Sequence, residues 1–127
     1  GVYPLFFNIA SPEQAESVAK VIKEKFLQSG GLPATLANTK QQWDSPNGWA
    51  PLQWMTIKGL RNYGYTELAD VIKVRWIANN KRVYKNTGKM VEKYNVYDLS
   101  LLGGGGEYPV QDGFGWSNGV LLKLMTE

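Results

Sequence analysis

The 127 residues include no cysteine and no histidine. Disulfide scaffolds, thiol nucleophiles, histidine-based triads and the usual zinc sites are thereby excluded together. Charge of one sign is also scarce: 14 Lys and Arg face 11 Asp and Glu, a formal net charge of +3. So slight an excess leaves no electrostatic footprint for a nucleic acid or an anionic membrane. No apolar run approaches the roughly 18 residues of a membrane span. No basic segment precedes the apolar residues Val2, Leu5, Phe6, Phe7 and Ile9, as a secretory leader would require. Missing cysteine fits a reducing cytosol or a periplasm and decides neither. Gly1 stands where an initiator Met would be, so the chain reads as the continuation of a longer one. Any catalysis must rest on carboxylates, hydroxyls, lysines or tyrosines.

Aromatics are what the chain has in excess, with 5 Trp, 7 Tyr and 4 Phe. The rest of the composition is that of an ordinary globular chain, and its length suits one small domain. The first helix is expected over residues 11–28. Ser11 is its N-cap, Pro12 suits the first turn, and Gln14 completes a capping box. Ala15, Val18, Ala19, Ile22 and Phe26 recur at helical spacing and form one apolar face. Gly30 and Gly31 end it, and Pro33 prevents its resumption. A second helix is expected over residues 51–63. A third is expected from the cap Thr66 through Leu68, Ala69, Ile72, Trp76 and Val83. Gly64 and Tyr65 alone separate these two, which predicts an antiparallel αα-hairpin. A last short helix is expected with Ser117 as cap, carrying Val120, Leu121, Leu124 and Met125. No strand alternation is strong enough to build a sheet upon. The fold class is all-α, with two long polar-aromatic loops at about residues 32–50 and 88–116. Structureless loops of such length are usually functional.

The first loop reads Gln41-Gln42-Trp43-Asp44-Ser45-Pro46-Asn47-Gly48-Trp49-Ala50-Pro51. Flat apolar rings beside amides and a carboxylate are what sugars need, since rings cover C–H faces while polar groups bind hydroxyls. Trp rings buried for packing, with Asp44 and Asn47 bonding local backbone, would account for the same composition. The second loop carries four glycines, residues 103–106, followed by Glu107, then Gln111-Asp112-Gly113-Phe114-Gly115-Trp116-Ser117. Glycines allow close backbone approach to a ligand or positive φ. A phosphate cradle is disfavoured because no Gly-Lys-Ser/Thr ending and no helix follow the run. A flexible linker is the plainer alternative, opposed by the large aromatics that follow. Lys81, Arg82, Lys85, Lys89 and Lys93 read as a solvated helix face. Glu92, between Val91 and Lys93, reads from its spacing as a solvated carboxylate. Two carboxylates flanking a sugar would indicate glycoside hydrolysis. Asp44, Glu92, Glu107 and Asp112 are the candidates, and composition does not rank them.

Gln42-Trp43-Asp44-Ser45-Pro46-Asn47-Gly48-Trp49-Ala50-Pro51 resembles the second signature of the trehalase family. Residues 103–108, continued by Gln111-Asp112-Gly113-Phe114-Gly115-Trp116-Ser117-Asn118-Gly119-Val120, resemble that family's glycine-rich motif. Val91-Glu92-Lys93-Tyr94 lies between them, and the resemblance runs from Tyr3-Pro4-Leu5-Phe6 to the Leu124 region. It implies an (α/α)6 barrel that hydrolyses α,α-trehalose to two glucose molecules with inversion, without metal or organic cofactor. It implies that Glu92 is the general base, against the reading from its spacing. It implies that Glu107 binds substrate, and that Trp43, Trp49 and Asp44 contribute to the sugar site. The family's general acid, an aspartate, and its first signature belong to an earlier segment. Residues 1–127 therefore correspond to the C-terminal part of a single catalytic domain. The partners implied are trehalose, water and the upstream part of the same enzyme. The alternatives are a non-catalytic carbohydrate-binding module with Trp43, Trp49 and Trp116 as its platform, or an (α/α)6 glycosidase acting on another glucoside.

Overall fold

Ser11 opens the first long helix through the capping box its sequence encodes. The Gln14 backbone N–H donates to Ser11 Oγ at 3.3 Å, and the Ser11 N–H donates to Gln14 Oε1 at 2.9 Å. The computed structural model describes residues 1–105 and 109–127. Its elements are α1 (Tyr3–Phe6), α2 (Pro12–Val21), β1 (Asn47–Trp49), α3 (Ala50–Asn62), α4 (Thr66–Thr87), β2 (Lys93–Asn95) and α5 (Gly115–Thr126). The expected first helix is realised in two parts. After α2 the chain widens into a π-helical turn, Ile22–Phe26, closed by the Leu27 N–H donating to the Ile22 carbonyl at 2.9 Å. Gly31 then takes φ +125°, and a Cβ there would stand 2.9 Å from Gln53 Oε1 and 3.1 Å from the Trp76 ring.

That one close approach also fixes how α3 and α4 run. Gln53 lies early in α3 and Trp76 lies midway along α4, yet both meet at Gly31. The chain reverses at Gly64, with φ +82°, so the two helices pair antiparallel as expected. Their facing side chains, Ile57 and Leu60 against Ala69, Ile72 and Trp76, are fully buried and form the centre of the core. Thr66 is the first residue of α4 rather than its cap; the cap position falls on Tyr65, which makes no side-chain capping bond. The helix ends where Gly88, at φ +70°, donates its N–H to the Tyr84 carbonyl at 2.7 Å.

Helix α1, at four residues, is too short to display a period in the sequence. Leu5 is buried against Gly59 of α3, and Asn62 Nδ2 donates to the carbonyls of Leu5 and Phe6, each at 3.2 Å. A Cβ at Gly59 would lie 3.0 Å from Leu5 Cβ and from the Phe6 nitrogen, so a larger residue there would require α1 to shift by a few tenths of an ångström. The long loops are not wholly structureless. β1 and β2 pair antiparallel, with Asn47 opposite Asn95, Gly48 opposite Tyr94 and Trp49 opposite Lys93. Ser117 does not cap α5; it lies buried inside the first turn, one step past Gly115 and Trp116. No helix among the described residues is long and apolar enough to cross a membrane.

Candidate functional site

The β1–β2 ribbon joins the two loops that carry the candidate residues. The segment leading into β2 is fixed from several sides. The Glu92 N–H donates to the Gln111 carbonyl at 3.0 Å, and the Gly113 N–H donates to the Met90 carbonyl at 2.7 Å. Ser117 Oγ donates to the Val91 carbonyl at 2.6 Å, and the Val91 N–H donates to the Tyr94 hydroxyl at 3.2 Å. This is the work of Ser117: it ties α5 to the segment that carries Glu92.

Glu92 is 3% exposed and Lys93 is 0% exposed. Both are therefore buried, where their spacing predicted solvent. Lys93 Nζ pairs with Glu92 Oε1 and donates to Gln42 Oε1 at 3.3 Å, 5.5 Å from the centroid of the Trp49 ring. The spacing reading of Lys93 fails because α4 ends at Thr87, so the helical face of charges does not continue to residue 93. Lys81, Lys85 and Lys89 are exposed as expected. Arg82 is half-buried, and its Nη2 donates to Asn79 Oδ1 at 2.8 Å.

Trp49 joins this pair to a cluster of four aromatic rings. Trp43 stacks on Trp49 with centroids 3.9 Å apart and planes inclined by 14°. Trp116 meets Trp49 edge-on at 5.7 Å, and Phe114 lies 5.0 Å from Trp116. The two signature tryptophans differ in kind. Trp49 is 2% exposed and Trp43 is 51% exposed. Trp49 is the inner support, its Nε1 donating to the Gln42 carbonyl at 3.2 Å, while Trp43 presents its outer face to solvent.

Asp44 is occupied locally. Its Oδ2 accepts from the Thr39 hydroxyl and from the Thr39 N–H at 2.9 Å. Those bonds, the hydroxyl first and the backbone N–H next, hold its carboxyl below the usual carboxylate range. Asp112 is exposed and pairs with Lys89 at 2.6 Å, which lowers its carboxyl and raises the Lys89 ammonium. Among the three candidate carboxylates that are described, Glu92 is the buried one. The fourth, Glu107, lies outside the described residues.

The start of the glycine run packs against the ribbon. A Cβ at Gly103 would come within 2.5 Å of the Lys93 carbonyl. Asn47, buried in β1, accepts the Gly104 N–H at 3.0 Å and donates through Nδ2 to the Gly104 carbonyl and to the Gln42 carbonyl, the latter at 3.2 Å. The close approach that Gly103 permits is thus to the protein's own strand, and that at Gly105 is to the Lys40 carbonyl of the first loop. Among the described residues no group of three or more His, Cys, Asp or Glu is placed to hold a metal ion.

Gln42 and Phe114 were missed as site residues. Gln42 stood inside the quoted signature, but an amide carries no mark that its oxygen faces an ammonium 51 residues on. The arrangement as a whole offers a buried carboxylate held by an ammonium, beside stacked indoles with one open face. That combination suits proton transfer next to a sugar ring.

The model of the trehalase family matches residues 1–127. The periplasmic trehalase of Pseudomonas aeruginosa is 51% identical over 124 residues, covering 98% of this chain and 23% of that protein. The putative periplasmic trehalase of Salmonella typhi is 48% identical over 124 residues, covering 98% of this chain and 22% of that protein. Among solved structures, neutral trehalase Nth1 from Saccharomyces cerevisiae superposes with a TM-score of 0.78 at 28% identity, over 98% of this chain and 22% of that one. The chain spans between a fifth and a quarter of the relatives it matches. Over its whole length, it belongs to the trehalase family.

Proposed function

We propose that these residues are the C-terminal part of an (α/α)6 trehalase catalytic domain and supply its general base and part of its sugar site. Glu92 as carboxylate takes a proton from the water that attacks an anomeric carbon of α,α-trehalose. The water oxygen forms the new bond to that carbon while the bond to the bridging oxygen breaks. An aspartate of the upstream part protonates the departing oxygen, and two glucose molecules leave, one of them inverted. The acid and base of such a pair stand about 6.5–9.5 Å apart, which leaves room for the water. Trp43 covers a sugar face from the rim, and Glu107 binds a hydroxyl. Asp44 acts on the sugar site through the loop it pins to Thr39. The upstream part also covers the apolar groove of about 410 Å³ beside α2, lined by Val18, Val21, Ile22, Phe26, Leu32 and Leu52.

The observation that carries this reading is the burial of Glu92 at the junction of both family motifs. Glucose release from trehalose by the complete enzyme, with and without Glu92→Gln, tests it. The substitution is expected to abolish turnover while sparing trehalose binding. Near-normal turnover removes Glu92 from the role of base. Binding of trehalose by the unsubstituted protein without glucose release points instead to a carbohydrate-binding module.

A further inference from the structure

We propose that Lys93 is the positioning residue for Glu92: its ammonium pins one carboxylate oxygen, Oε1, so that the proton from water passes to the other, Oε2. The proposal rests on the reading of Glu92 as base. Lys93 takes part in the ribbon through its backbone, and strand pairing asks nothing of its side chain. A buried ammonium is costly unless paired, and an apolar side chain would fill the same space without that cost. Its retention at full burial is explained by what its Nζ meets.

Among the described residues, three groups meet the ammonium. Glu92 Oε1 pairs with it, Gln42 Oε1 accepts from it at 3.3 Å, and the Trp49 ring lies 5.5 Å away. Gln42 is itself held, because its backbone carbonyl accepts both Trp49 Nε1 and Asn47 Nδ2 at 3.2 Å. The position of the Glu92 carboxylate is thus set by the loop of the second signature, through Lys93, as well as by its own segment. Proton transfer from water is sensitive to such placement, since misplacement of a reacting group by about 1 Å costs on the order of 100-fold.

The test compares Glu92→Gln, Lys93→Met and Lys93→Ala in the complete enzyme, with trehalose as substrate and circular dichroism as the check on folding. Lys93→Met is expected to lower kcat about 100-fold with KM nearly unchanged, as loss of placement rather than of substrate binding. Ethylammonium is expected to restore part of the Lys93→Ala turnover, and tetramethylammonium at equal ionic strength is not. Should Met at this position prevent folding, Lys93→Gln takes its place, with the same division between kcat and KM expected. A folded Lys93 variant with near-normal kcat, or one whose loss lies wholly in KM, overturns the proposal while Glu92→Gln remains inactive and the base reading stands. Failure of ethylammonium to rescue more than the control cation also overturns it. An active Glu92→Gln enzyme removes the base reading and this proposal with it.

Discussion

Trp49 and Lys93 stand opposite each other across the ribbon, with the Lys93 ammonium 5.5 Å from the indole centroid. A cation over an indole face is attracted by the ring's quadrupole, the more so where water is excluded. The pairing places the second signature and the Glu92 segment in one register. Trp43 then stacks on the same indole, so one ring serves as support both for the buried ion pair and for the exposed face.

The two signature tryptophans should separate under mutation. Trp49→Ala removes a buried ring and is expected to lower stability by about 3–5 kcal/mol. Trp43→Ala removes a half-exposed ring and is expected to cost about 1 kcal/mol, while raising KM for trehalose. Urea denaturation and initial-rate kinetics on the complete enzyme measure both. Equal losses of stability would mean that the exposed ring is as much core as the buried one.

Asn47 bridges β1 to the glycine run with both ends of its amide. Asn47→Ala leaves part-buried backbone groups of Gly104 and Gln42 without that partner and is expected to cost about 1–2 kcal/mol. The Gly104 amide should exchange with deuterium faster in the variant. Unchanged exchange would show that other contacts hold the run in place.

Thr39→Val tests the first cause of the low Asp44 carboxyl. A carboxyl lowered on folding contributes stability above its unfolded value, about 3.9, that is lost as pH falls through the folded one. Carboxyl carbon NMR should show Asp44 titrating closer to its ordinary range in the variant. The stability gap between variant and parent should be present at pH 7 and fade below about pH 4. Identical titration in the two proteins would remove the Thr39 hydroxyl as the cause.

Glu107→Ala is expected to weaken both trehalose binding and turnover. A sugar hydroxyl that loses an ionised partner forfeits about 1.5–3 kcal/mol, roughly 10- to 100-fold. Calorimetric binding and kcat/KM together measure it, and unchanged values for both would withdraw Glu107 from the sugar site.

Helices α2, α3 and α4 were legible in the sequence because they carried their own punctuation: Ser11 with Gln14, the Gly64 reversal, and Gly88 after Thr87. Local rules sufficed there. The ribbon was not legible, since three residues per strand cannot display alternation and their partner lies some 45 positions away. Lys93 misled for a related reason: its spacing from Lys89 continues a helical face that had already ended. Ser117 looked like a cap because it has the right chemistry near a helix start, but its hydroxyl serves the Val91 carbonyl instead. Glu92 became legible through its neighbours in a motif, because burial by remote segments leaves no local mark.

The αα-hairpin separates two kinds of tolerance. α3 begins directly after Trp49 and runs 13 residues, about 20 Å at 1.5 Å per residue, before the chain turns at Gly64. The turn therefore lies a helix length from the ion pair, in space where an added Cβ would meet nothing within 4 Å. Inserted residues are better placed at that reversal than at the ribbon, provided that Gly64 keeps its φ of +82° and Tyr63 and Tyr65 keep their packing on the core. At the ribbon end, a single-residue insertion in either strand would throw Trp49 and Lys93 out of phase.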